Sequence, residues 1–216
     1  VHKIPEGVSD LTAAMTEPLA CVCHAVYDLN RIKGGDVVLV IGPGAIGNMA
    51  MQVAKAQGAV VIISGTDIDQ ERLKLAKKLG ADYAVNIQKE NLEELVMKIT
   101  GGNGVDCVLE CSGSAPGTNT GLNLIKKLGY FTQVGMGRPN IDFQIEKVIY
   151  KELHFRGSLG SRKHSWRTAL RLMEQGKVNL EPLAGTVLPL ERWQEAFDRF
   201  EKKDGNKFML LPCEED

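Results

Sequence analysis

The 216 residues carry 26 Lys and Arg against 27 Asp and Glu, a net charge of -1. There is no field of one sign to draw the chain to nucleic acid, and the basic residues are spread along helices without a block or an aromatic platform for stacking bases. No apolar run approaches the roughly 18 residues of a membrane span, and the first residues lack the apolar core of a signal peptide. The five cysteines, Cys21, Cys23, Cys107, Cys111 and Cys213, are odd in number and lack disulfide-framework spacing, which points to a reducing compartment. Cys21-Val22-Cys23-His24 has donors for a metal but no second cluster to complete four ligands, so core packing is the reading adopted. Cys107 and Cys111 lie four residues apart on a strand, roughly 13 Å, too far to share one ion. The expectation is a soluble cytoplasmic protein with no nucleic acid and no membrane as partner. Its length suits one large domain or one and a half.

What is present is a strand, a glycine motif and a helix in direct succession. Val37 to Ile41 is apolar without alternation, as in a strand buried on both faces of a parallel sheet. Gly42-Pro43-Gly44-Ala45-Ile46-Gly47 follows, a GxGxxG, and then Ile46, Met49, Ala50, Val53 and Ala54 recur at helical spacing up to Gly58. Gly42 permits a tight turn, Gly44 lets backbone approach a pyrophosphate, and Gly47 lets helix and strand pack closely. The helix's free N–H groups and positive dipole end would face the phosphates. A glycine-rich turn alone is weak evidence; flanked by this strand and helix it predicts a dinucleotide site.

The remainder repeats the strand-and-helix unit. Strands are expected at Val60 to Ser64, Tyr83 to Val85, Val105 to Glu110, Tyr130 to Val134 and Leu153 to Arg156. Helices are expected from Asp69 to Leu79, from Asn91 to Thr100 and from beyond Ser114 to Leu128. This alternation predicts an α/β Rossmann fold, a doubly wound six-stranded parallel sheet with helices on both faces and ligands at the carboxyl ends of its strands. Small residues cluster at those ends: Ser64-Gly65-Thr66, Ser112-Gly113, Gly135 and Gly157-Ser158, although strand ends turn, and turns favour Gly and Ser in any case. Before the sheet, Leu11 to Asn30 reads as a helix broken or kinked at Pro18, with Leu19, Val22, Cys23 and Val26 on one face. After it come helix Ser161 to Gln175, the apolar segment Thr186 to Leu190, helix Glu191 to Lys202 and a strand, Lys207 to Leu211, with no place in the sheet. Residues 1–32 thus form a lead-in, 33–189 the dinucleotide-binding domain and 190–216 a returning helix and strand.

Glu17-Pro18-Leu19-Ala20, the glycine motif, the run ERLKLAKKLGAD and the closing EAFDRFEKKDGNKFMLLP together resemble the zinc-type medium-chain dehydrogenases, most closely the polyol (sorbitol) and threonine dehydrogenases. The resemblance covers essentially the whole chain and implies a coenzyme domain without the family's N-terminal catalytic domain, which carries the first zinc ligands and the proton relay. It implies that Glu17 matches the acidic residue beside the zinc, as ligand or as partner of its water; a surface glutamate is the alternative. It matches Cys111-Ser112-Gly113 to the loop beside the cofactor, Val134-Gly135-Met136 to the segment whose backbone meets the nicotinamide, and Lys207 to a basic residue near the pyrophosphate; Ser158 belongs to the same edge.

For the full-length enzyme the resemblance implies oxidation of a secondary alcohol or polyol by hydride transfer, zinc lowering the alcohol's pKa. The fragment alone should bind cofactor without turnover. A non-catalytic dinucleotide-binding regulatory module is the alternative, and a methyltransferase fits the later segments less well. A ribose carboxylate is expected roughly 20 residues beyond the motif. Ungapped, Gly65 takes that position and Asp67 is offset from it. Asp67 either reaches the ribose or caps the next helix, with Asp69 as rival, and Ser64, Thr66 and Arg72 would hold a 2′-phosphate instead. NAD is the reading adopted, with NADP as the alternative. Self-association as a homodimer or homotetramer is expected, because Thr186 to Leu190 would otherwise leave an unpaired sheet edge, and the resemblance implies that this strand pairs with its copy.

Overall fold

The computed structural model describes residues 1–137, 142–202, 204–205 and 207–212. Cys213 and the end of the 190–216 segment lie outside the described residues. Strands β1 (Val37–Ile41), β2 (Val60–Gly65), β3 (Tyr83–Asn86), β4 (Val105–Glu110), β5 (Ile125–Gln133) and β6 (His154–Gly157) form one sheet in the order β3-β2-β1-β4-β5-β6. Every neighbouring pair is parallel. The chain runs outward from β1 to β3 and returns to lay β4 against the other side of β1, so the switch point falls between β1 and β4.

The helices are α1 (Asp10–Ala13), α2 (Thr16–Cys23), α3 (Ala45–Ala56), α4 (Gln70–Lys78), α5 (Leu92–Ile99), α6 (Ala115–Leu124), α7 (Ile145–Tyr150), α8 (Lys163–Glu174) and α9 (Trp193–Glu201). They explain why β1 is apolar without alternation. Val38 and Val40 enter a core with Met49 and Val53 of α3 and Leu19 and Val22 of α2. Leu39 and Ile41 enter a second core with Val96 of α5, Leu122 of α6 and Phe131 of β5. Successive side chains of one strand thus fill the two faces of the sheet, and both faces are covered. The expected helix face, Leu19, Val22 and Cys23 of α2 with Val26 just beyond it, is buried in the first core. No helix among the described residues is long and apolar enough to cross a membrane.

Five features depart from the sequence reading. The break expected at Pro18 falls earlier, between Ala13 and Thr16. Pro18 sits in the first turn of α2, where a missing N–H costs no helical bond. Beyond Cys23 the helix widens to a π-helical turn, His24–Asp28. The helix expected to reach Leu128 stops at Leu124, and β5 begins at once with a bulge: Val105 pairs with Ile125 and Cys107 with Tyr130, with Leu128 at φ 58 between them. Lys151 satisfies the carbonyls freed at that helix end, its ammonium donating to Leu122 O at 2.8 Å, Asn123 O at 2.8 Å and Ile125 O at 2.6 Å. The short helix α7 had no signal in the periodicity. Finally, Thr186 to Leu190 is paired along one edge: β7 (Thr186–Pro189) pairs parallel with β8 (Phe208–Leu211), which gives the closing strand its partner outside the main sheet.

Candidate functional site

The carboxyl ends of β1, β4 and β5 meet at the switch point. Gly42 leaves β1 at φ 95, and a Cβ there would stand 2.9 Å from the backbone N of Ser112, beyond β4. At Gly47 a Cβ would lie 1.9 Å from Gly42 O, so the helix–strand approach is possible only for glycine. At Gly44 a Cβ would meet nothing within 4 Å; the space over this residue is open, as a phosphate cradle requires. Pro43 beside it in sequence is buried. The first helical bond of α3 runs from Asn48 N to Gly44 O at 2.9 Å, leaving the N–H groups of Ala45, Ile46 and Gly47 without intrahelical acceptors. Asn48, fully buried, donates from Nδ2 to Pro43 O at 2.6 Å and to Gly44 O at 3.3 Å. Because a trans peptide carries its N–H opposite its C=O, this turns the N–H groups of Gly44 and Ala45 away from the buried amide. Asn48 was not singled out in the sequence, where it reads as one polar position of an amphipathic helix.

Gly65 ends β2, and a Cβ there would meet Pro43 Cγ at 2.8 Å. The Asp67 carboxylate is engaged beside the neighbouring strand, accepting at 2.7 Å from Nδ2 of Asn86, the residue in register with Gly65, and pairing with Lys89 Nζ at 3.0 Å. The hydrogen bond from Asn86, with that from Lys89, holds its carboxyl below the ordinary range. The capping role weighed for Asp67 belongs to Asp69, which accepts from Thr66 N at 3.2 Å and Thr66 Oγ1 at 3.1 Å. Arg72 bonds Asp69 at 3.2 Å and Gly205 O at 2.6 Å. Ser64 is buried in β2.

At the other end of the cleft, Cys111 N donates to Ile41 O at 2.8 Å, and Val134 N and Gly135 N both donate to Glu110 O at 2.8 Å. A Cβ on Gly135 would lie 2.2 Å from Gly113 N, so the two loops touch backbone to backbone. Met136 is 83% exposed beside them, and Ser158 N donates to Gln133 O at 2.9 Å, continuing the edge to β6. The structure therefore brings together Gly42 to Gly47, Cys111, Ser112, Val134, Gly135, Met136 and Ser158. Lys207 precedes β8, its carbonyl accepting from Thr186 N at 3.4 Å in the second sheet, and Gly205, two residues before it, accepts from Arg72 of α4 at 2.6 Å.

Sequence reasoning saw Glu110 only as a strand end. It is fully buried, and its carboxylate accepts from Ser112 N at 2.9 Å, Gly113 N at 2.9 Å, Ser112 Oγ and Gln133 Nε2. The available signal was an acidic residue closing the otherwise apolar run Cys107-Val108-Leu109, where burial demands partners.

Metal donors do not converge. Glu17 is exposed and accepts from Cys21 Sγ at 3.1 Å. Burial, with Glu17 adding to it, pushes the Cys21 thiol up to about 11, and burial pushes Cys23 up to about 12. His24 Nδ1 lies 2.7 Å from Asp28 Oδ2. Cys107 donates to Asn30 Oδ1 at 3.1 Å inside the core. No three His, Cys, Asp or Glu side chains among the described residues are grouped to hold an ion, so these residues do not by themselves fit a catalytic zinc. A cavity of about 860 Å³ opens instead at the amino ends of β1, β4 and β5, lined by Asp36, Asp106, Lys126 and Tyr130 among others. Doubly wound sheets bind ligands at the carboxyl ends, so it is not the cofactor cleft.

A family profile described as zinc-binding dehydrogenase matches residues 45–175, more than half of the chain. The chain belongs to this family. The sorbitol dehydrogenase of Halalkalibacterium halodurans is 43% identical over 99% of this chain and 62% of its own length. The D-arabitol-phosphate dehydrogenase of Enterococcus avium is 40% identical over 98% of this chain and 60% of its own. Among solved structures, an alcohol dehydrogenase from Thermus superposes with a TM-score of 0.88 at 28% identity, over 98% of this chain and 61% of that one. This zinc-binding dehydrogenase chain therefore spans about 60% of the length of the relatives it matches. The shared region contains the whole six-stranded sheet and the glycine loop.

Proposed function

We propose that this chain is the NAD(P)-binding part of a dehydrogenase that oxidises a secondary alcohol or polyol. The observation that carries the proposal is the open space over Gly44 beside an uncapped helix N-terminus, with glycine forced at Gly42 and Gly47. Pyrophosphate oxygens placed there accept from the outward N–H groups and lie at the positive end of the helix dipole. The nicotinamide end extends toward Ser112 and Gly135, whose backbones fix the ring's position. The bound dinucleotide supplies the hydride acceptor. Glu17 is retained as a residue near the metal of the whole enzyme, and the other ligands would come from a region this chain does not match. The division into 1–32, 33–189 and 190–216 belongs to the same proposal. So does a homodimer or homotetramer: β8 pairs one edge of β7, no further strand among the described residues pairs the other, and the resemblance implies that this edge meets its copy.

Between the two cofactors we infer NAD, although Asp67 is tied to Asn86 and Lys89 rather than standing free. Arg72, the cation that a 2′-phosphate would need, is itself bonded to Asp69 and Gly205. Calorimetric dissociation constants for NADH and NADPH, measured with zinc analysis of the purified chain and an alcohol-dependent absorbance assay, test these points together. The expected result is tighter NADH binding, no stoichiometric zinc and no turnover. A large preference for NADPH refutes the cofactor choice, and zinc with turnover refutes the view that the metal site needs further residues.

A further inference from the structure

The two loops at the nicotinamide end of the cleft owe their position to one side chain. Glu110 is fully buried at the last position of β4, with no cationic partner among the described residues: its four donors there are the N–H groups of Ser112 and Gly113, the Ser112 hydroxyl and the Gln133 amide. Room for the carboxylate comes from Gly117 of α6, where a Cβ would stand 2.9 Å from Glu110 Oε1. Gln133 extends the network, its Nε2 also donating to Gly135 O at 2.9 Å and its Oε1 accepting from Thr118 Oγ1 at 3.2 Å. One carboxylate therefore ties the β4 loop to the β5 loop through Gln133, while its own backbone carbonyl receives Val134 N and Gly135 N. The two loops approach so closely that a Cβ on Gly113 would lie 2.6 Å from Met136 O. Burying a carboxylate costs stability unless every lone pair is used. An apolar residue at this strand end would leave the Ser112 and Gly113 N–H groups and the Gln133 amide without their shared acceptor.

Resting on the dinucleotide reading above, we infer that Glu110 is a positioning residue for the nicotinamide half of the cofactor. It fixes the Ser112-Gly113 turn and, through Gln133, the Gly135 backbone, so that the shelf under the ring is set before the ligand arrives. Its four hydrogen bonds all go to the turn and to Gln133 and none to the phosphate cradle, which Asn48 and the α3 terminus form. Preorganised donors and acceptors of this kind improve capture by sparing the cost of ordering a loop on binding.

The test is calorimetric titration of the full 216-residue chain with NADH and with ADP-ribose, which keeps the adenosine diphosphate half and lacks nicotinamide. If the phosphorylated cofactor binds better, NADPH and 2′-phospho-ADP-ribose replace them. In Glu110→Gln an amide NH₂ faces backbone N–H donors, and at least one of them loses its acceptor. NADH should bind about tenfold more weakly and ADP-ribose within about twofold of the parent chain. The fluorescence gain of NADH on binding should fall at saturation, which a general loss of stability would not cause. Gln133→Met, which withdraws one donor and the link to Gly135 outside the turn itself, should act in the same direction and carries the test if the glutamine variant does not fold. Equal weakening of both ligands, or no change in either, overturns the role of Glu110. A parent chain that binds neither ligand overturns the dinucleotide reading itself and this inference with it.

Discussion

Gly44→Val and Gly47→Ala should separate binding from folding, although both replace a glycine of one motif. Gly44 has φ -66 and ψ -174, an extended conformation open to any L residue, and a Cβ there meets no atom within 4 Å. Valine is a poorer helix cap than glycine, so the stability change should be at most about 1 kcal/mol, or roughly 2–4 °C in melting temperature for a chain of this size. Its methyl groups occupy the space left for the pyrophosphate. Losing one or two hydrogen bonds to a charged group costs about 2–4 kcal/mol, which is roughly 30- to 1,000-fold in affinity. Gly47→Ala reverses the balance. Its methyl would lie 1.9 Å from Gly42 O, a backbone atom that cannot swing aside. Strand and helix must separate, at an overpacking cost of about 1–3 kcal/mol and roughly 2–12 °C. Calorimetry with NADH and thermal melts followed by circular dichroism read both quantities. A Gly44→Val chain that binds like the parent, or a Gly47→Ala chain that melts like it, refutes the reasoning.

Lys151→Met keeps the aliphatic stem but removes the donor shared by three carbonyls at the end of α6; urea unfolding should show a loss of about 1–3 kcal/mol with the slope unchanged. Burial raises the Asp28 carboxyl, but hydrogen bonds from His24, His164 and Ser165 outweigh it and hold the group below its ordinary value. The stability it contributes is therefore present above the unfolded value of about 4 and lost as pH falls through the folded one. Asp28→Asn should lower the melting temperature at neutral pH and flatten its decline below about pH 4; an unchanged acid limb would contradict the assignment.

The parts of the fold that were legible are those where one physical demand acts alone. Val37 to Ile41 must be apolar on both faces of a covered sheet, and Gly42 and Gly47 must be glycine because backbone atoms crowd their missing Cβ positions. The misreadings come from competing demands. The apolar periodicity beyond Ser114 carried past Leu124 because nothing local announces that Lys151, from a distant turn, will satisfy the helix end. Asp67 was placed correctly near the end of β2, but its capture by Asn86 and Lys89 is set by how β3 lies beside β2. Glu110 was invisible as a site because its importance lies in partners on two segments, the Ser112-Gly113 turn and Gln133 of β5.

Hydrogen-exchange mass spectrometry of the chain with and without NADH tests the central claim most directly. The account predicts slowed exchange in peptides covering Gly42 to Asn48, Cys111 to Gly113 and Val134 to Met136, with no change around Asp36, Asp106 and Tyr130 at the opposite edge of the sheet. Protection at that opposite edge, or unaltered exchange at Gly42 to Asn48 under saturating NADH, would contradict it.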